Sequence, residues 1–170
     1  LTIEAGVTVV AEGNDDYLVV ARGSRILSNG TSDAPVVFTA KGVLDGTTEN
    51  VDETTKGIWG GLVINGRAPI NDCSDDTAVG GSVDCQKSGE GASGFFGGAT
   101  TTDDSGQLFF TRVEYAGTRL TNEDELNGIA FQGVGSGMEV SNVQVFNNLD
   151  DCFEWFGGNV SASNLVALGC

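Results

Sequence analysis

The sequence predicts an all-β solenoid, a coiled sheet in which short strands climb turn by turn. The first observation is an internal repeat: residues 1–13, LTIEAGVTVVAEG, align without a gap with residues 18–30, LVVARGSRILSNG. The second is composition, since 26 Gly and only 2 Pro are typical of a chain with many tight turns. The third is that no window places apolar residues at helical spacing, so we expect almost no helix. Alternating strands closed by Gly or Asn, with a drifting period of about 20 residues, are typical of solenoids.

The strand pattern divides the chain into turns and two insertions. Residues 1–40 form two tight turns that end in the strand APVVFTA. Residues 41–57 are polar and acidic, and residues 71–106 are rich in Gly, Ser, Thr and Asp, so we interpret both as insertions. We expect residues 1–170 to be a single domain from a longer solenoid, because both ends lie within strand patterns. The other strands are predicted at residues 58–66, 107–117, 129–135, 138–148 and 153–169.

Alternate apolar side chains in these strands should face a shared core. A single turn cannot bury its own apolar face, so each turn should be stabilised by its neighbours. The predicted inward columns are Ile3, Val20 and Ile64 in one group, and Val113, Val143 and Leu165 in another.

The charge of the chain argues against two classes of partner. The formal net charge is −16, and no His is present. Nucleic acids and anionic membrane surfaces are bound by clustered Lys and Arg, so we expect neither as a partner. No apolar run reaches about 18 residues, so no transmembrane segment is predicted. The carboxylates either keep an edge-rich β protein soluble or, in part, converge on a cation.

The four cysteines form two local pairs in the sequence. Cys73 and Cys85 enclose a polar loop, whereas nearly one turn of the repeat separates Cys152 from Cys170. Neighbouring strands lie about 4.8 Å apart, which suits the Cα separation of a disulfide. Three pairings exist, and buried free thiols are the alternative. We favour two local disulfides and therefore an oxidising, extracellular or cell-surface location.

Acidic residues cluster at the predicted corners of the solenoid, where neighbouring turns approach each other. Oxygen ligands of this kind suit Ca²⁺, which is the candidate cofactor. The alternative is that Asn and Asp hydrogen-bond to their own backbone in turns. The candidate ligands are Asn148, Asp150, Asp151 and Glu154, followed by Asp124 and Glu125, which adjoin Asn122 and Glu123.

Enzymatic activity has weaker support in the sequence and is left open. Asp150, Asp151 and Glu154 would supply the paired carboxylates of a glycoside hydrolase, although chance adjacency is expected in so acidic a chain. A nucleophile–His pair is excluded because there is no His. None of the eight Lys and Arg lies within residues 147–170 to serve as the base of a polysaccharide lyase. We assign no catalytic residue.

Aromatic residues occur in three clusters, GFF at 94–96, LFF at 108–110 and FEWF at 153–156. If exposed, they would form a platform that stacks on sugars or docks a protein. We favour burial, with the rings stacked as a ladder inside the coil, because Phe is usually a core residue.

A family resemblance rests on segments from most of the chain. They are LTIEAGVTV, LVVARGSRILSNGTSDAPVVFTA, GIWGGLVINGRAPIN, RVEYAG, ELNGIAFQGVGSG and NNLDDCFEWFGG. The chain resembles the secreted or cell-surface right-handed parallel β-helix proteins of Gram-negative bacteria, which share the pectate-lyase-like solenoid. The resemblance implies a right-handed parallel β-helix and export, and it implies no particular reaction.

The function we expect is that of a secreted or surface-exposed structural or binding module. Its partner would be an extracellular polysaccharide or protein, or further copies of the chain stacked end to end, because a solenoid offers long faces and open ends. The alternative is a carbohydrate-active enzyme, a polysaccharide lyase or glycoside hydrolase, on the same scaffold. A groove with converging carboxylates would favour the enzyme.

Overall fold

The computed structural model describes residues 1–48, 51–121 and 124–170, and shows an all-β chain with little helix. This confirms the all-β prediction. The strands are β1 (Thr2–Glu4), β2 (Thr8–Ala11), β3 (Tyr17–Val20), β4 (Ile26–Asn29), β5 (Val36–Ala40), β6 (Gly61–Asn65), β7 (Lys87–Ser88), β8 (Phe95–Phe96), β9 (Gly106–Glu114), β10 (Arg119–Thr121), β11 (Asp124–Glu125), β12 (Ile129–Gln132), β13 (Glu139–Phe146), β14 (Phe153–Phe156) and β15 (Ser161–Leu168). The short helices are α1 (Lys41–Leu44) and a 3-10 helix (Glu90–Ala92).

Most strands belong to two sheets in which neighbouring strands are parallel. Sheet A has the order β1–β4–β9–β13–β15, with β5 also paired to β9 and β2 paired to β5. Sheet B has the order β3–β6–β12–β14. From β12 to β15 the chain alternates between sheet B and sheet A, so each turn adds one strand to each sheet. The pairs β7–β8 and β10–β11 are antiparallel.

The main core receives side chains from both sheets. Leu62 and Ile64 of β6 share a cluster with Val143 and Val145 of β13, and each is at most 1 % exposed. Strand β6 is buried along its whole length. Its Val63, which points away from the main core, belongs to a second cluster on the outer face of sheet B. Burial of this kind depends on the neighbouring turn and on what covers the sheet from outside.

One predicted inward column is half right. Val20 of β3 does pair with Ile64 of β6. Ile3, which is also buried, lies in sheet A and pairs with Ser28 of β4. The repeat in the sequence had matched two strands of similar composition that belong to different sheets. The prediction that Ile3 stacks on Val20 is therefore wrong.

The other predicted column is misplaced by two residues at one end. Val143 and Leu165 are partners, as predicted, but Val143 pairs with Thr111, and Val113 pairs with Val145. A slip of two residues keeps every side chain on its face, because the side-chain period of a strand is two. Alternation alone could not distinguish these two registers.

The observed register of β9, β13 and β15 aligns three residues that have a left-handed backbone conformation. Phe110, Asn142 and Asn164 occupy matching positions in β9, β13 and β15, with φ of 43°, 56° and 54°. The amide of Asn164 donates a hydrogen bond to the side-chain oxygen of Asn142 at 3.2 Å. Asn tolerates this backbone conformation better than most residues that have a side chain.

The segment between β6 and β9 covers part of the outer face of sheet B. It contains β7, β8, the 3-10 helix and the disulfide Cys73–Cys85, whose Cα atoms are 4.9 Å apart. Ile70, Cys85 and Phe96 form a third apolar cluster, against which Phe156 of β14 packs. This packing positions the candidate site.

The second disulfide lies at the last turn of the described chain. It joins Cys152, just before β14, to Cys170, just after β15, with Cα atoms 5.6 Å apart. Both predicted pairings are thus present in the structure. Within the three described ranges, no helix is long and apolar enough to cross a membrane.

Candidate functional site

A cavity of about 370 Å³ opens between the outer face of sheet B and the segment that covers it. Gln132 at the end of β12 and Phe156 at the end of β14 are paired in register, and both line the cavity. Ile70, Phe96 and Lys87 line it from the covering segment. The cavity is thus part apolar and part polar, as ligand pockets commonly are.

Gln132 is the most constrained polar side chain of this cavity. It is fully buried, its Oε1 accepts a hydrogen bond from the Ser93 hydroxyl at 3.5 Å, and its Nε2 has no hydrogen-bond partner among the described residues. A Cβ atom at Gly89 would lie 2.1 Å from this Oε1, so the Gln132 amide packs closely against the backbone of Gly89. A buried donor without a partner is costly, unless a ligand or water satisfies it.

A pair of carboxylates lies beside the cavity. The buried amide Nδ2 of Asn127 donates to Glu90 Oε2 at 3.2 Å and to Glu154 Oε2 at 2.6 Å. Because one amide nitrogen contacts both, the two carboxylate oxygens lie close to each other. Glu90 lines the cavity. The Oδ1 atom of Asn127 has no hydrogen-bond partner among the described residues.

Burial and repulsion between carboxylates raise the pKa values of both Glu90 and Glu154. Burial, followed by the charges of Glu154 and Asp124, raises the pKa of Glu90 to about 7. Burial also raises the pKa of Glu154, and the hydrogen bond from Asn127 partly offsets this effect. At neutral pH a proton is therefore held at Glu90 in a substantial fraction of molecules.

Hydrogen bonds of Gly91, the residue after Glu90, hold the covering segment in place. The backbone N–H of Gly91 donates to the carboxylate of Asp124 in β11, at 2.9 Å to Oδ1. The carbonyl of Gly91 accepts a hydrogen bond from the hydroxyl of Tyr17 in β3. These contacts hold the 3-10 helix, and with it the Glu90 carboxyl, against sheet B.

The residues predicted to bind a metal divide into two groups. Asp124, Glu125, Asp150 and Glu154 lie close enough to Glu90 for their charges to raise its pKa. Glu125 forms an ion pair with Arg119, and burial raises the pKa of Asp150. We name the group of Glu90, Asp124, Glu125, Asp150 and Glu154 the acidic cluster.

The other two predicted ligands are Asn148 and Asp151. The amide of Asn148, which is fully buried, donates to the carbonyl of Asp151 at 2.9 Å. The side chain of Asp151 is exposed. In the described parts of the chain, no three Asp, Glu, Cys or His residues are arranged to hold a metal ion. Asn122 and Glu123 lie outside the described residues.

The aromatic clusters behave in two ways. Phe131 is fully buried, and the ring of Trp155, its partner in β14, stacks on it with centroids 5.4 Å apart and planes 18° apart. Phe131 lies outside the three predicted clusters, however, and Trp155 itself is 44 % exposed, so this stack does not confirm a buried ladder. Phe95 is also exposed, at 56 %, while its neighbour Phe96 is buried. Only part of the aromatic content is therefore available to a ligand.

Sequence reasoning missed Glu90, Asn127 and Gln132. Glu90 lies in the insertion at residues 71–106, outside the repeat, so the repeat spacing could not place it near Glu154. A signal for Gln132 did exist, because GLVING (61–66) and GIAFQG (128–133) are matching segments that place Asn65 and Gln132 at the same point. Their register in sheet B is the one that this match implies.

Comparison with known proteins agrees with this architecture. A family model described as a pectate-lyase like beta helix domain matches residues 1–170. No curated protein and no solved structure gives a significant match. The parallel sheets, the alternation of the chain between them and the small helix content are those of such a domain. The chain therefore belongs to the pectate-lyase-like β-helix family.

Proposed function

We propose that this domain binds a carbohydrate chain outside the cell, in the cavity between sheet B and its covering segment. In this proposal the strands form a right-handed parallel β-helix, secreted or displayed on the surface of a Gram-negative bacterium. Family membership fits a carbohydrate-binding or structural role. The two disulfides support an oxidising compartment.

The observation that carries the proposal is the buried Gln132 with its unsatisfied Nε2. A sugar presents hydroxyl oxygens that would accept from this donor, and apolar C–H faces that would pack on Phe156 and Ile70. The cavity volume of about 370 Å³ lies within the range of ligand sites.

Binding is tested by affinity electrophoresis of the disulfide-intact protein in gels that each contain one polysaccharide: polygalacturonate, alginate, dextran or hydroxyethyl cellulose. We expect retardation in at least one gel, and loss of most of it in Gln132→Leu, which removes the donor at similar volume. The matched control is Gln144→Leu, since Gln144 is a half-buried residue of sheet A remote from this cavity. Unretarded migration in every gel, or equal retardation of Gln132→Leu, contradicts the proposal.

Glycoside hydrolysis is the alternative function, and one observation favours it. Glu90 lines the cavity and holds its proton up to about neutral pH, which suits a general acid. The neighbouring carboxylate would be Glu154, although Glu154 does not line the cavity. Release of reducing ends from a retained polysaccharide, abolished in Glu90→Gln, would favour hydrolysis over binding alone.

We also propose that Ca²⁺, if the domain binds it, lies at the acidic cluster and not at the Asn148 corner. Support comes from Glu90 and Glu154, which repel each other, and from the unpaired oxygen of Asn127. Oxygen ligands of both kinds are those that Ca²⁺ takes in proteins. Asn148 also has an unpaired side-chain oxygen, but its amide donates to a backbone carbonyl of its own corner, whereas the amide of Asn127 donates to two carboxylates.

A further inference from the structure

A second cavity, of about 230 Å³, is lined by two arginines, Arg22 and Arg67. Arg22 follows β3 and Arg67 follows β6, and these strands are parallel neighbours in which Val20 pairs with Ile64. Both arginines therefore lie at the same end of sheet B, just beyond the carboxyl ends of β3 and β6. Gln86 and Gly97 of the covering segment complete the wall.

The guanidinium of Arg22 is held in place by neutral groups, whereas the side chain of Arg67 is exposed. Nη1 of Arg22 donates to Gln86 Oε1 at 2.8 Å and to the Gly97 carbonyl at 3.1 Å. The guanidinium of Arg67 lies against Gly23, where a Cβ atom would be 2.4 Å from Nη2. Gly23 has φ of +84°, a backbone conformation that favours glycine.

The charges around this cavity are unusual for so acidic a chain. Five of the eight Lys and Arg form ion pairs with carboxylates: Arg25, Lys41, Lys87, Arg112 and Arg119. No carboxylate of the described residues lies within ion-pair distance of the Arg22 or Arg67 guanidinium. The nearby carboxylate of Asp103 accepts from the backbone N–H of Arg67 at 3.0 Å. Two arginines that share a cavity without a carboxylate repel each other, and an anion bound between them would relieve this repulsion.

We propose that Arg22 and Arg67 form an oxyanion-binding site, which takes the carboxylate or sulfate group of an acidic sugar. The planar guanidinium donates two parallel hydrogen bonds to such a group, a geometry that Lys cannot reproduce. The choice of a sugar as the carrier rests on the proposed function. The proposal that an oxyanion binds here rests only on the two arginines.

The test uses ¹⁵N-labelled protein titrated with sodium sulfate and with galacturonate, with galactose as the neutral probe and NaCl at matched ionic strength. We expect saturable shifts of the Nε–H signals of Arg22 and Arg67 and of the Gly97 amide with both anions, and none with galactose. Shifts of the same size in NaCl would show that only ionic strength is sensed, and would overturn the proposal.

The decisive variant is Arg67→Gln, because no described hydrogen bond depends on that guanidinium. We expect binding at least tenfold weaker, whereas the control Arg25→Gln, which loses an exposed ion pair with Asp104, binds as the wild type does. Arg22→Lys keeps the charge and should weaken binding several-fold, since the fork is lost. Unchanged affinity in Arg67→Gln refutes the site.

Three oligosaccharides separate this inference from the proposed function: a uronate, a sulfated galactan and a neutral dextran. Retention of the acidic oligosaccharides that Arg67→Gln abolishes supports the site and shows which anion it takes. Binding of dextran alone, unaffected by Arg67→Gln, leaves the proposed function standing and refutes the oxyanion site. Binding of free sulfate without any oligosaccharide supports the site and refutes the glycan function.

Discussion

Raising the pH from 5 to 8 should destabilise this domain through Glu90. The pKa of Glu90 is raised from its ordinary value of 4.5 to about 7 in the folded chain. A group with a raised pKa stabilises the fold fully below its unfolded pKa, and this contribution is lost as the pH rises through the folded value. Stability should therefore fall between about pH 5 and pH 8.

The magnitude follows from the size of the shift and the exposure of the group. One pKa unit corresponds to about 1.36 kcal/mol, so the full shift would correspond to roughly 3 kcal/mol. Glu90 is only half-buried, and solvent screening reduces this figure to about 1–2 kcal/mol. Glu154 and Asp150 have pKa values raised in the same direction, so they add to the slope.

The assay is urea denaturation at several pH values between 5 and 8, at constant ionic strength. The variant Glu90→Gln should lose about 1–2 kcal/mol of the wild-type pH dependence and become the more stable protein at pH 8. The control Glu4→Gln changes an exposed carboxylate of sheet A and should retain the wild-type slope. A slope in Glu90→Gln equal to that of the wild type would refute the reasoning, as would stability that rises with pH.

Three further predictions concern the cation, the core and the terminal disulfide. If Ca²⁺ occupies the acidic cluster, thermal unfolding at matched salt should shift upward on adding Ca²⁺ and downward with chelator, and an unchanged midpoint would contradict a cation at this cluster. Phe131→Ala should destabilise the fold by about 3–5 kcal/mol and Leu165→Ala, at a half-buried position, by only about 1 kcal/mol, as measured in urea. Replacing Cys152 and Cys170 by Ser opens a loop with a sequence separation of 18 and should cost about 3 kcal/mol, while peptide mapping that finds four alkylatable thiols would contradict both pairings.

The sequence was sufficient for what depends on local pattern. Alternation of apolar residues placed the strands, and the proximity of Cys73 to Cys85 indicated a disulfide that the structure contains. Alternation did not resolve the register of Val113, because a two-residue slip preserves the inward face. The left-handed residues that distinguish the two registers are visible in the sequence only as ordinary Asn and Phe.

The candidate site was predictable only in part, since it forms where distant segments meet. Glu154 and Asp124 were predicted as neighbours, because they belong to corners of successive turns. Glu90 and the wall around Arg22 depend on how the covering segment folds back onto sheet B, and that segment has no repeat from which its path could be read. The contribution of this insertion to the site could therefore not be predicted without knowledge of its contacts.

The left-handed column at Asn142 and Asn164 has a consequence for how such a domain changes length. Each of these residues marks the same point in its own turn, so recombination between two of them would remove or duplicate one complete turn. The strands on either side would meet in the register they already have. A gene could therefore lengthen or shorten the stack without redesigning its core, whereas a deletion of one residue within a strand would turn the following side chains of that strand to the opposite face.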